Sequence, residues 1–468
     1  GSDLNDSTVK ILMDSMTSLI TSKIAIECEH ISRIELLVYF DSIGSKHSHA
    51  LVNSISDEYI ACHTATLEKG KHIALAHDVL VPNTSYIQAS HFNVEVQLTP
   101  ASHFRLNYAV TNINTGDFEL HPSNELKMAQ AYVTRKNWSS KLSFDTVTNI
   151  NDAVSHSKVK SIIQLSEALH DNQIVSIATS IAGNPGEVME TPPPRLVLIA
   201  GPSSSGKTTF AKRLSVALET LGAQPLVISV DGYYKSWKDI DPRGVQYVDW
   251  ESLNSLNLTL LNENLLDLMD NKEVLVPEYD MTTSEPMSKE HWTKMKLPQG
   301  GMIIIEGIHG LNPELTPLVP KKEKFQIMIS PLSGLILDDF NMISSTQVRM
   351  LRRMVRDYLF RGRSAFSTLR QWPGVAMGER KNIYPNQNNA DVVMNSSLYE
   401  AHSLKIYAEP LLRTITPDMD EYAEARRLLK MLSHLVAIPT DMVPPQSLLR
   451  EFVGGSWFYD YAGNYKNA

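Results

Sequence analysis

A segment rich in glycine and serine near the middle of the chain has the residue types that can hold a triphosphate. From Gly201 to Thr208 it has the spacing G-x-x-x-x-G-K-T. Glycines at both ends let the backbone come close to a ligand, so that successive N–H groups can converge on phosphate oxygens. Lys207 can then reach the β- and γ-phosphates, and the hydroxyl of Thr208 can bind Mg²⁺. The motif therefore predicts a P-loop that binds ATP together with Mg²⁺.

The residues on either side predict the strand and the helix that a P-loop requires. Leu196–Ala200 is an uncharged run, which is typical of a buried parallel strand. Apolar residues then recur at helical spacing from Phe210 to Leu221, and Gly222 can end that helix. The helix N-terminus adds partial positive charge at the phosphates. The residues predicted to contact the nucleotide are Gly201, Ser203, Ser204, Ser205, Gly206, Lys207, Thr208 and Thr209.

Two carboxylates directly follow further predicted strands. Asp231 follows the run Leu226–Val230, and Glu306 follows the run Met302–Ile305. Ligands of open parallel sheets bind beyond the carboxyl ends of the strands, so both side chains are expected beside the phosphates. Glu306 has the position of a residue that faces the metal. From the residues alone, a simple Asp-Gly turn explains Asp231 about equally well.

An arginine-rich segment from Val348 to Arg363 has the residue type that binds anions. At about 100° per residue, four of its arginines fall within about a third of a helical wheel. A solvated charged face is the alternative, but such faces usually mix acids and bases, and Asp357 is the only acid here. This imbalance favours a lid that grips phosphate over an RNA-binding face, which would need aromatic platforms. The arginines of this face are Arg349, Arg352, Arg353 and Arg356, and Arg361 and Arg363 follow them.

The region before about residue 150 has a different pattern. Glu35–Phe40 is mostly apolar and predicts a strand. Apolar and polar residues alternate over Phe92–Leu98 and again from Phe104 to Val110, which predicts two antiparallel strands and a separate α+β domain. The histidines of this region lack the spacing of zinc ligands, so we expect the domain to be free of zinc.

These patterns predict the domain organisation. Residues 1–150 form the α+β module, and residues 151–194 form a helical connector and a proline-rich linker. Residues 195–434 form the P-loop domain. Residues 435–468 form a C-terminal tail, whose aromatic residues are expected to pack on that domain. The predicted fold class is α/β, a doubly wound parallel sheet with an arginine-rich helical lid, preceded by the separate α+β domain.

Length and composition restrict the class of protein. The 468 residues, of which 43% are hydrophobic and 20% charged, are typical of a globular protein of two or three domains. A net charge of −9 disfavours nucleic acid as a partner. Two cysteines are too few for a disulfide framework, which favours a cytoplasmic location. No apolar run reaches membrane-spanning length, so no membrane partner is expected, and a homo-oligomer remains open.

From Arg195 to about Tyr459 the chain resembles the uridine kinase and phosphoribulokinase family of P-loop kinases. Within that family it is most similar to the long bacterial-type uridine kinase-like proteins. In those proteins a module similar to the second additional domain of threonyl-tRNA synthetase precedes the kinase domain, and residues 1–150 correspond to it by domain order. The segments that carry the resemblance are Gly201–Ser215, Glu306–Thr316, Arg352–Asp357, Arg361–Gly362, Asn382–Pro385, Ala390–Val392 and Tyr407–Leu412.

The resemblance implies that the chain transfers the γ-phosphoryl group of ATP, with Mg²⁺, to a hydroxyl of a small-molecule substrate. It gives Asp231 the role of general base on the acceptor hydroxyl. The residues implied in catalysis are Asp231, Lys207, Arg356 and Arg361, and those near the metal are Thr208, Glu306 and Asp231. The residues implied in acceptor binding are Asp249, Tyr279, Arg353, Arg363 and Gln371.

The sequence departs from the family around the acceptor. Gly232 stands where close relatives usually carry a second Asp, Thr283–Pro286 lacks a usual basic residue, and Met342 replaces a typical Arg. The favoured acceptor is the 5′-hydroxyl of uridine or cytidine. The alternatives are a kinase of another sugar-like alcohol and an NTP-binding regulatory protein whose N-terminal module contacts RNA. A GTPase is disfavoured, because the Asn-Lys pair at 271–272 lacks the Asp of an N-K-x-D motif.

Overall fold

The computed structural model describes residues 6–68, 70–78, 80–87, 92–97, 103–108, 110–111, 118–119, 126–184, 192–397 and 399–458. Three features discussed above, namely Leu98, the linker segment 185–191 and the last aromatic residues of the tail, lie outside the described residues. The chain divides into two compact units. The first unit comprises Gly1–Gln130, Thr146–Thr148 and Ile336–Met342, and the second comprises Ala131–Asp145, Asn149–Leu335 and Ile343–Ala468.

Helices and strands have the following bounds in chain order. The helices are α1 (Asp6–Thr21), α2 (Arg33–Ser42), α3 (Lys46–Ser54), α4 (Leu126–Lys141), α5 (Val147–Ser155), α6 (Val159–Ala182), α7 (Lys207–Thr220), α8 (Trp237–Ile240), α9 (Leu258–Met269), α10 (Ser345–Arg361), α11 (Ala365–Asn382), α12 (Glu400–Leu412), α13 (Tyr422–Ser433) and α14 (Arg450–Val453). The strands are β1 (Glu27–Ser32), β2 (Tyr59–Leu67), β3 (Gly70–Leu75), β4 (Phe92–Gln97), β5 (His103–Tyr108), β6 (Val110–Thr111), β7 (Phe118–Glu119), β8 (Leu196–Ala200), β9 (Pro225–Ser229), β10 (Glu273–Val276), β11 (Tyr279–Asp280), β12 (Glu285–Pro286), β13 (Thr293–Lys296), β14 (Met302–Glu306), β15 (Lys324–Ser330), β16 (Leu335–Ile336), β17 (Met342–Ile343) and β18 (Val392–Asn395).

The first unit contains an antiparallel sheet in the order β1-β2-β3. Strands β4 and β5 pair antiparallel, which confirms the prediction for that segment. The predicted strand at Glu35–Phe40 is wrong, because these residues lie in α2. The helix begins at a capping box, in which the Ser32 hydroxyl accepts from the Glu35 N–H and the Glu35 carboxylate accepts from the Ser32 N–H. Leu36 and Phe40, four residues apart, are then both fully buried.

The second unit is built around a five-stranded sheet in the order β18-β15-β8-β14-β9. All of its pairings are parallel. Alternate residues of β8 enter two cores: Val197 and Ile199 pack with α6 and α7, and Leu196 and Leu198 pack with α9. Because both faces are covered by helices, every residue of β8 and β14 is buried. The predicted doubly wound parallel sheet is confirmed.

The arginine-rich segment forms helix α10, which lies between β15 and β18 in the chain. Helix α10 begins at a capping box formed by Ser344 and Gln347, and it ends at Gly362, which has a φ of 61°.

The tail that follows α13 is fixed by Leu448 and Phe452, which are fully buried. Trp457 is 76% exposed, so the prediction that the aromatic residues of the tail pack on the domain is wrong for Trp457.

Two kinds of feature were searched for over the described residues. No helix in these ranges has the length and apolar character needed to span a bilayer. In the same ranges, no cluster of three or more His, Cys, Asp or Glu side chains could hold a metal ion.

Candidate active site

The predicted P-loop joins β8 to α7 with the conformation that its glycines allow. A Cβ on Gly201 would lie 2.2 Å from the carbonyl oxygen of Ile329, so only glycine fits beside β15. Gly206 caps α7 with a φ of 91°, and Ser204 has a φ of 60°. The hydroxyls of Ser204 and Ser205 are buried and have no hydrogen-bond partner among the described residues. Such buried polar groups at a helix N-terminus fit a phosphate, whose oxygens accept hydrogen bonds.

The lysine of the motif is held inside the loop. The Lys207 Nζ atom donates hydrogen bonds to the carbonyls of Gly201, at 3.0 Å, and Pro202, at 3.3 Å. The ammonium group therefore lies within the curve of the loop, where a phosphate would be bound. In the first turn of α7, the N–H and the hydroxyl of Thr209 donate to the Glu451 carboxylate, at 3.4 and 3.0 Å. A carboxylate at this helix N-terminus shows its preference for negative charge.

Arginines of α10 bind the outer, carbonyl side of the loop. Arg349 donates from Nε to the Ser203 carbonyl at 2.9 Å. Arg352 donates from Nη1 to the carbonyls of Ser204 and Ser205, both at 3.4 Å. The arginines of α10 thereby fix the conformation of the loop through three of its carbonyl groups.

The same two arginines also form buried ion pairs. Arg349 pairs with Glu379 of α11, and Arg352 pairs with Glu400 of α12, at 3.1 Å. All four side chains are at most 3% exposed. The interpretation of the whole arginine face as an anion-binding lid is therefore wrong for Arg349 and Arg352. We call this pair the inner arginines.

A second group of arginines surrounds one acid, Asp357. Arg356 donates from Nε and Nη2 to Asp357 Oδ1, at 3.1 and 3.0 Å, and Arg361 lies 3.6 Å from the same oxygen. Arg353 approaches the other oxygen of Asp357 at 3.4 Å and also donates to the Ser203 hydroxyl at 2.8 Å. Burial acts to raise the pKa of Asp357, but the guanidiniums outweigh it and hold the pKa below its usual value. We call Arg356 and Arg361 the outer arginines.

Glu306 ends β14 next to the P-loop helix. Its Oε1 atom accepts hydrogen bonds from the hydroxyls of Thr208, at 3.2 Å, and Ser229, at 2.6 Å. Burial, and then the charge of Asp231, raise the pKa of Glu306 to about 7. Hydroxyl and carboxylate oxygens are the ligands that Mg²⁺ prefers, and Mg²⁺ usually completes its shell with water and substrate phosphates, so these side chains fit the ion. A bound Mg²⁺ would neutralise charge that develops on the phosphates.

Asp231 lies in the turn Val230–Tyr233, directly after β9. Ser229 fixes the turn, since its hydroxyl accepts a hydrogen bond from the Asp231 N–H at 3.4 Å. Burial lowers the pKa of Arg361 to about 10, and the charge of Asp231 is among those that oppose the shift. Asp231 is thus close enough to act on both Glu306 and an outer arginine. The structure brings together the residues that the sequence predicts for catalysis.

Three aromatic rings lie beside Asp231. The ring of Tyr234 is 5.7 Å from those of Trp250 and Tyr279, which are 6.4 Å from each other. The Tyr279 hydroxyl is buried without a partner in the described contacts, and burial raises its pKa. A Cβ on Gly232 would lie 2.3 Å from the Pro277 carbonyl, which explains why this chain carries no second Asp there.

Three other residues predicted for the acceptor lie further out. The Asp249 side chain is 51% exposed and lies 4.0 Å from Lys381 Nζ. Arg363 donates to the Gln371 side chain at 3.4 Å, and Gln371 donates to Ser367 at 3.3 Å. The structure does not bring these three side chains into contact with Asp231 or the P-loop.

Sequence reasoning missed four acids that the structure places around the P-loop. Glu379 accepts a hydrogen bond from the Ser203 N–H at 3.1 Å, besides its pairing with Arg349. The other three are Glu251, Glu400 and Glu451. No sequence motif marks these acids. Buried arginines need acidic partners, and the segment Val348–Arg363 has only one acid, so its excess of arginines is the feature of the sequence that predicts acids from elsewhere in the chain.

Comparison with known proteins identifies the kind of domain. Residues 196–400 match the Phosphoribulokinase / Uridine kinase family. A uridine kinase of Ureaplasma parvum serovar 3 is 27% identical over 216 residues, which cover 46% of this chain and 93% of that protein. A uridine kinase of Lactobacillus johnsonii is 29% identical over 207 residues, covering 44% and 88%. The structure of a possible uridine kinase from Bacillus stearothermophilus, at 19% identity, covers 48% of this chain and 97% of its own, with a TM-score of 0.31. The segment from residue 196 to residue 400 is therefore an ATP-binding kinase domain that matches the Phosphoribulokinase / Uridine kinase family.

Proposed function

We propose that the chain is a Mg²⁺-dependent kinase that transfers the γ-phosphoryl group of ATP to the 5′-hydroxyl of uridine or cytidine. The observation that carries this proposal is the convergence of Asp231, Glu306 and the outer arginines beside the P-loop. Nucleotide binding alone would need no base and no second group of arginines. The relatives named uridine kinase support the nucleoside as acceptor.

Each group has a role in the proposed reaction. The loop N–H groups and Lys207 hold the phosphates of ATP, while Glu306 and Thr208 face the metal. Asp231 accepts the proton of the acceptor hydroxyl as the new oxygen–phosphorus bond forms and ADP leaves. The outer arginines stabilise the negative charge on the transferring group, because donors fixed in a water-poor site need no reorganisation during the reaction.

The aromatic rings of Tyr234, Trp250 and Tyr279 support an acceptor with a planar base. Rings at these separations can offer apolar surface to a nucleobase, while the nearby carboxylates face its sugar. The exposed position of Asp249 and the absence of a side chain at Gly232 favour the second candidate, a kinase of another sugar-like alcohol. We favour the nucleoside, because a sugar-like alcohol has no planar base to pack against the aromatic rings.

A coupled assay of ATP consumption over a panel of nucleosides and sugars tests the acceptor. For the mechanism, we expect Asp231→Asn to lower kcat about 10²-fold or more while the KM for ATP is nearly unchanged, since the variant keeps the side-chain shape and removes the base. The matched control is Asp239→Asn in the exposed helix α8, which should behave as wild type. If Asp231→Asn kept the wild-type kcat, Asp231 would not be the general base, and another group would have to accept the proton.

We further propose that residues 1–150 form a module similar to the second additional domain of threonyl-tRNA synthetase and that the protein is cytoplasmic. The family match begins at residue 196, so domain order alone supports the first of these proposals. An NTP-binding regulatory role, with RNA at this module, is the alternative that the acceptor assay would favour if no substrate were phosphorylated.

A further inference from the structure

A glutamate that no motif singles out, Glu251, packs against α11 at Gly378, the residue before Glu379, which binds the P-loop. Glu251 follows Trp250, and its N–H donates to the Asp249 carboxylate at 3.2 Å. The two acids differ in environment: the Asp249 side chain is half exposed, whereas the Oε2 atom of Glu251 is shielded from solvent and has no hydrogen-bond partner among the described residues. An unpaired buried acceptor costs free energy, so a donor is expected at this position.

Charged residues of the P-loop and of α10 act on the carboxyl group of Glu251. The cations among them are Arg353, Lys207 and Arg349. Burial, and then the Glu379 carboxylate, raise the pKa of Glu251 to about 7 despite these cations. Glu251 also acts on Tyr234, whose pKa is raised first by burial and then by Asp231 and Glu251. The charge of Glu251 is thus felt both at the P-loop lysine and at one of the aromatic rings.

The stem of Glu251 is packed against a helix position that has no side chain. A Cβ on Gly378 of α11 would lie 2.3 Å from Cβ and 2.4 Å from Cγ of Glu251. Glycine is unfavourable inside a helix, so this packing accounts for its presence. Gly374, one turn earlier on α11, offers the contrast, because a Cβ there would meet nothing within 4 Å. The absence of a side chain at Gly378 therefore leaves the space that the stem of Glu251 occupies.

We propose that Glu251, whose stem occupies the space left open at Gly378, is an acceptor-binding residue that accepts a hydrogen bond from a sugar hydroxyl of the substrate. The inference rests on the proposed kinase function and deepens it. It assigns to the acceptor a neutral, polyhydroxylated part, such as the ribose of a nucleoside, next to the phosphorylated hydroxyl. A carboxyl oxygen with no other partner can take that bond without losing an existing one.

Steady-state kinetics with ATP and the acceptor found in the panel test the proposal. We expect Glu251→Ala to raise the KM for the acceptor about tenfold or more and to leave the KM for ATP within about twofold, because one bond to the acceptor is lost. Gly378→Ala should raise the acceptor KM in the same direction, since the methyl group displaces Glu251. Gly374→Ala, on the same helix, should leave both constants unchanged.

Analogues that lack one hydroxyl sharpen the test. Wild-type protein should discriminate against a 2′-deoxy or 3′-deoxy acceptor, and Glu251→Ala should lose most of that discrimination for one of the two. An unchanged acceptor KM and unchanged discrimination in Glu251→Ala would overturn this inference alone, even if the melting temperature fell. A wild-type protein that binds ATP and phosphorylates no acceptor of the panel would overturn the proposed function and this inference with it.

Discussion

The inner arginines and Arg356 lie on one face of α10, and Arg361 ends that helix, yet the inner and the outer arginines have different contacts. Arg349 and Arg352 are buried, each is paired with one acid of a following helix, and both bind carbonyls of the P-loop. Arg356 and Arg361 share the single acid Asp357, and the charge of Asp231 acts on both. Arginines of one helix thus differ: the inner pair supports the P-loop, and the outer pair clusters around Asp357, where the charge of Asp231 also acts on it.

The difference lies in how each charge is compensated. Each inner arginine has its own buried carboxylate, so little of its positive charge is left for a ligand. The outer pair and Arg353 have one carboxylate among three guanidiniums, which leaves an excess of positive charge in a partly buried place. We therefore expect loss of an inner arginine to damage the fold and loss of an outer one to damage phosphoryl transfer.

The largest expected effect is that of Arg352→Met on stability. The change removes the guanidinium of a buried ion pair and leaves the Glu400 carboxylate buried with less positive charge beside it, which should lower the free energy of unfolding by about 3–5 kcal/mol. Urea denaturation measures it. Arg413→Met is the matched control, because Arg413 pairs with Glu409 on the exposed side of α12 and should cost less than about 1 kcal/mol.

The double variant Arg352→Met with Glu400→Leu sharpens this test. Apolar residues of similar size often replace a buried ion pair at little cost, so much of the lost stability should return. Equal stability of Arg352→Met and Arg413→Met would show that the inner pair does not support the fold.

The next effect concerns the outer arginines. Arg356→Ala should lower kcat about 10²-fold or more, since it removes a donor fixed towards the transferring group, and Arg361→Ala should act in the same direction. The free energy of unfolding should change by about 1 kcal/mol or less, because Asp357 keeps two other guanidiniums. Steady-state kinetics and urea denaturation of the same preparations give both quantities.

An exposed arginine of the neighbouring helix provides the control for this prediction. Arg370→Ala on α11, where Arg370 stacks on Phe366, should retain wild-type kcat. If Arg356→Ala raised only the KM for the acceptor, the outer arginines would belong to acceptor binding instead.

The smallest expected effect is a loss of folding stability at acidic pH that arises from His402. His402 lies on α12, two residues after Glu400, and is fully buried. Burial, and then Lys405, lower its pKa to about 3, against about 6.5 in an unfolded chain. Between about pH 6.5 and pH 3, His402 is therefore protonated in the unfolded state and neutral in the folded state. The stability that this group provides is complete above about pH 6.5 and falls by up to about 1.4 kcal/mol per pH unit below it.

Urea denaturation between pH 7 and pH 5 measures this slope. His402→Leu should show a shallower loss than wild type over that range, whatever its stability at pH 7. Parallel slopes for the two proteins would exclude His402 as a source of acid sensitivity.

Part of the fold and of the candidate site could be predicted from the sequence because the causes are local. The P-loop needs glycine at Gly201 and Gly206, a buried strand before them and a helix after them, and all of these lie within residues 196–220. The capping box at the start of α2 is local as well and predicts a helix, whereas the mostly apolar run Glu35–Phe40 predicts a strand and gives the wrong result. Asp231 and Glu306 could be placed because parallel strands bring their carboxyl ends to one edge.

The sequence by itself determined the phosphate-binding machinery and the parallel sheet, since each residue type there follows from its immediate neighbours. Only the tertiary structure decided which arginines are inner and which are outer, because Glu379 and Glu400 come from other helices and a helical wheel carries no information on them. It also decided that Glu251, rather than Asp249, has a carboxyl group shielded from solvent beside the loop. The physical reason is that the effect of a charge depends on its burial and on its partner, and residues distant in the chain determine both.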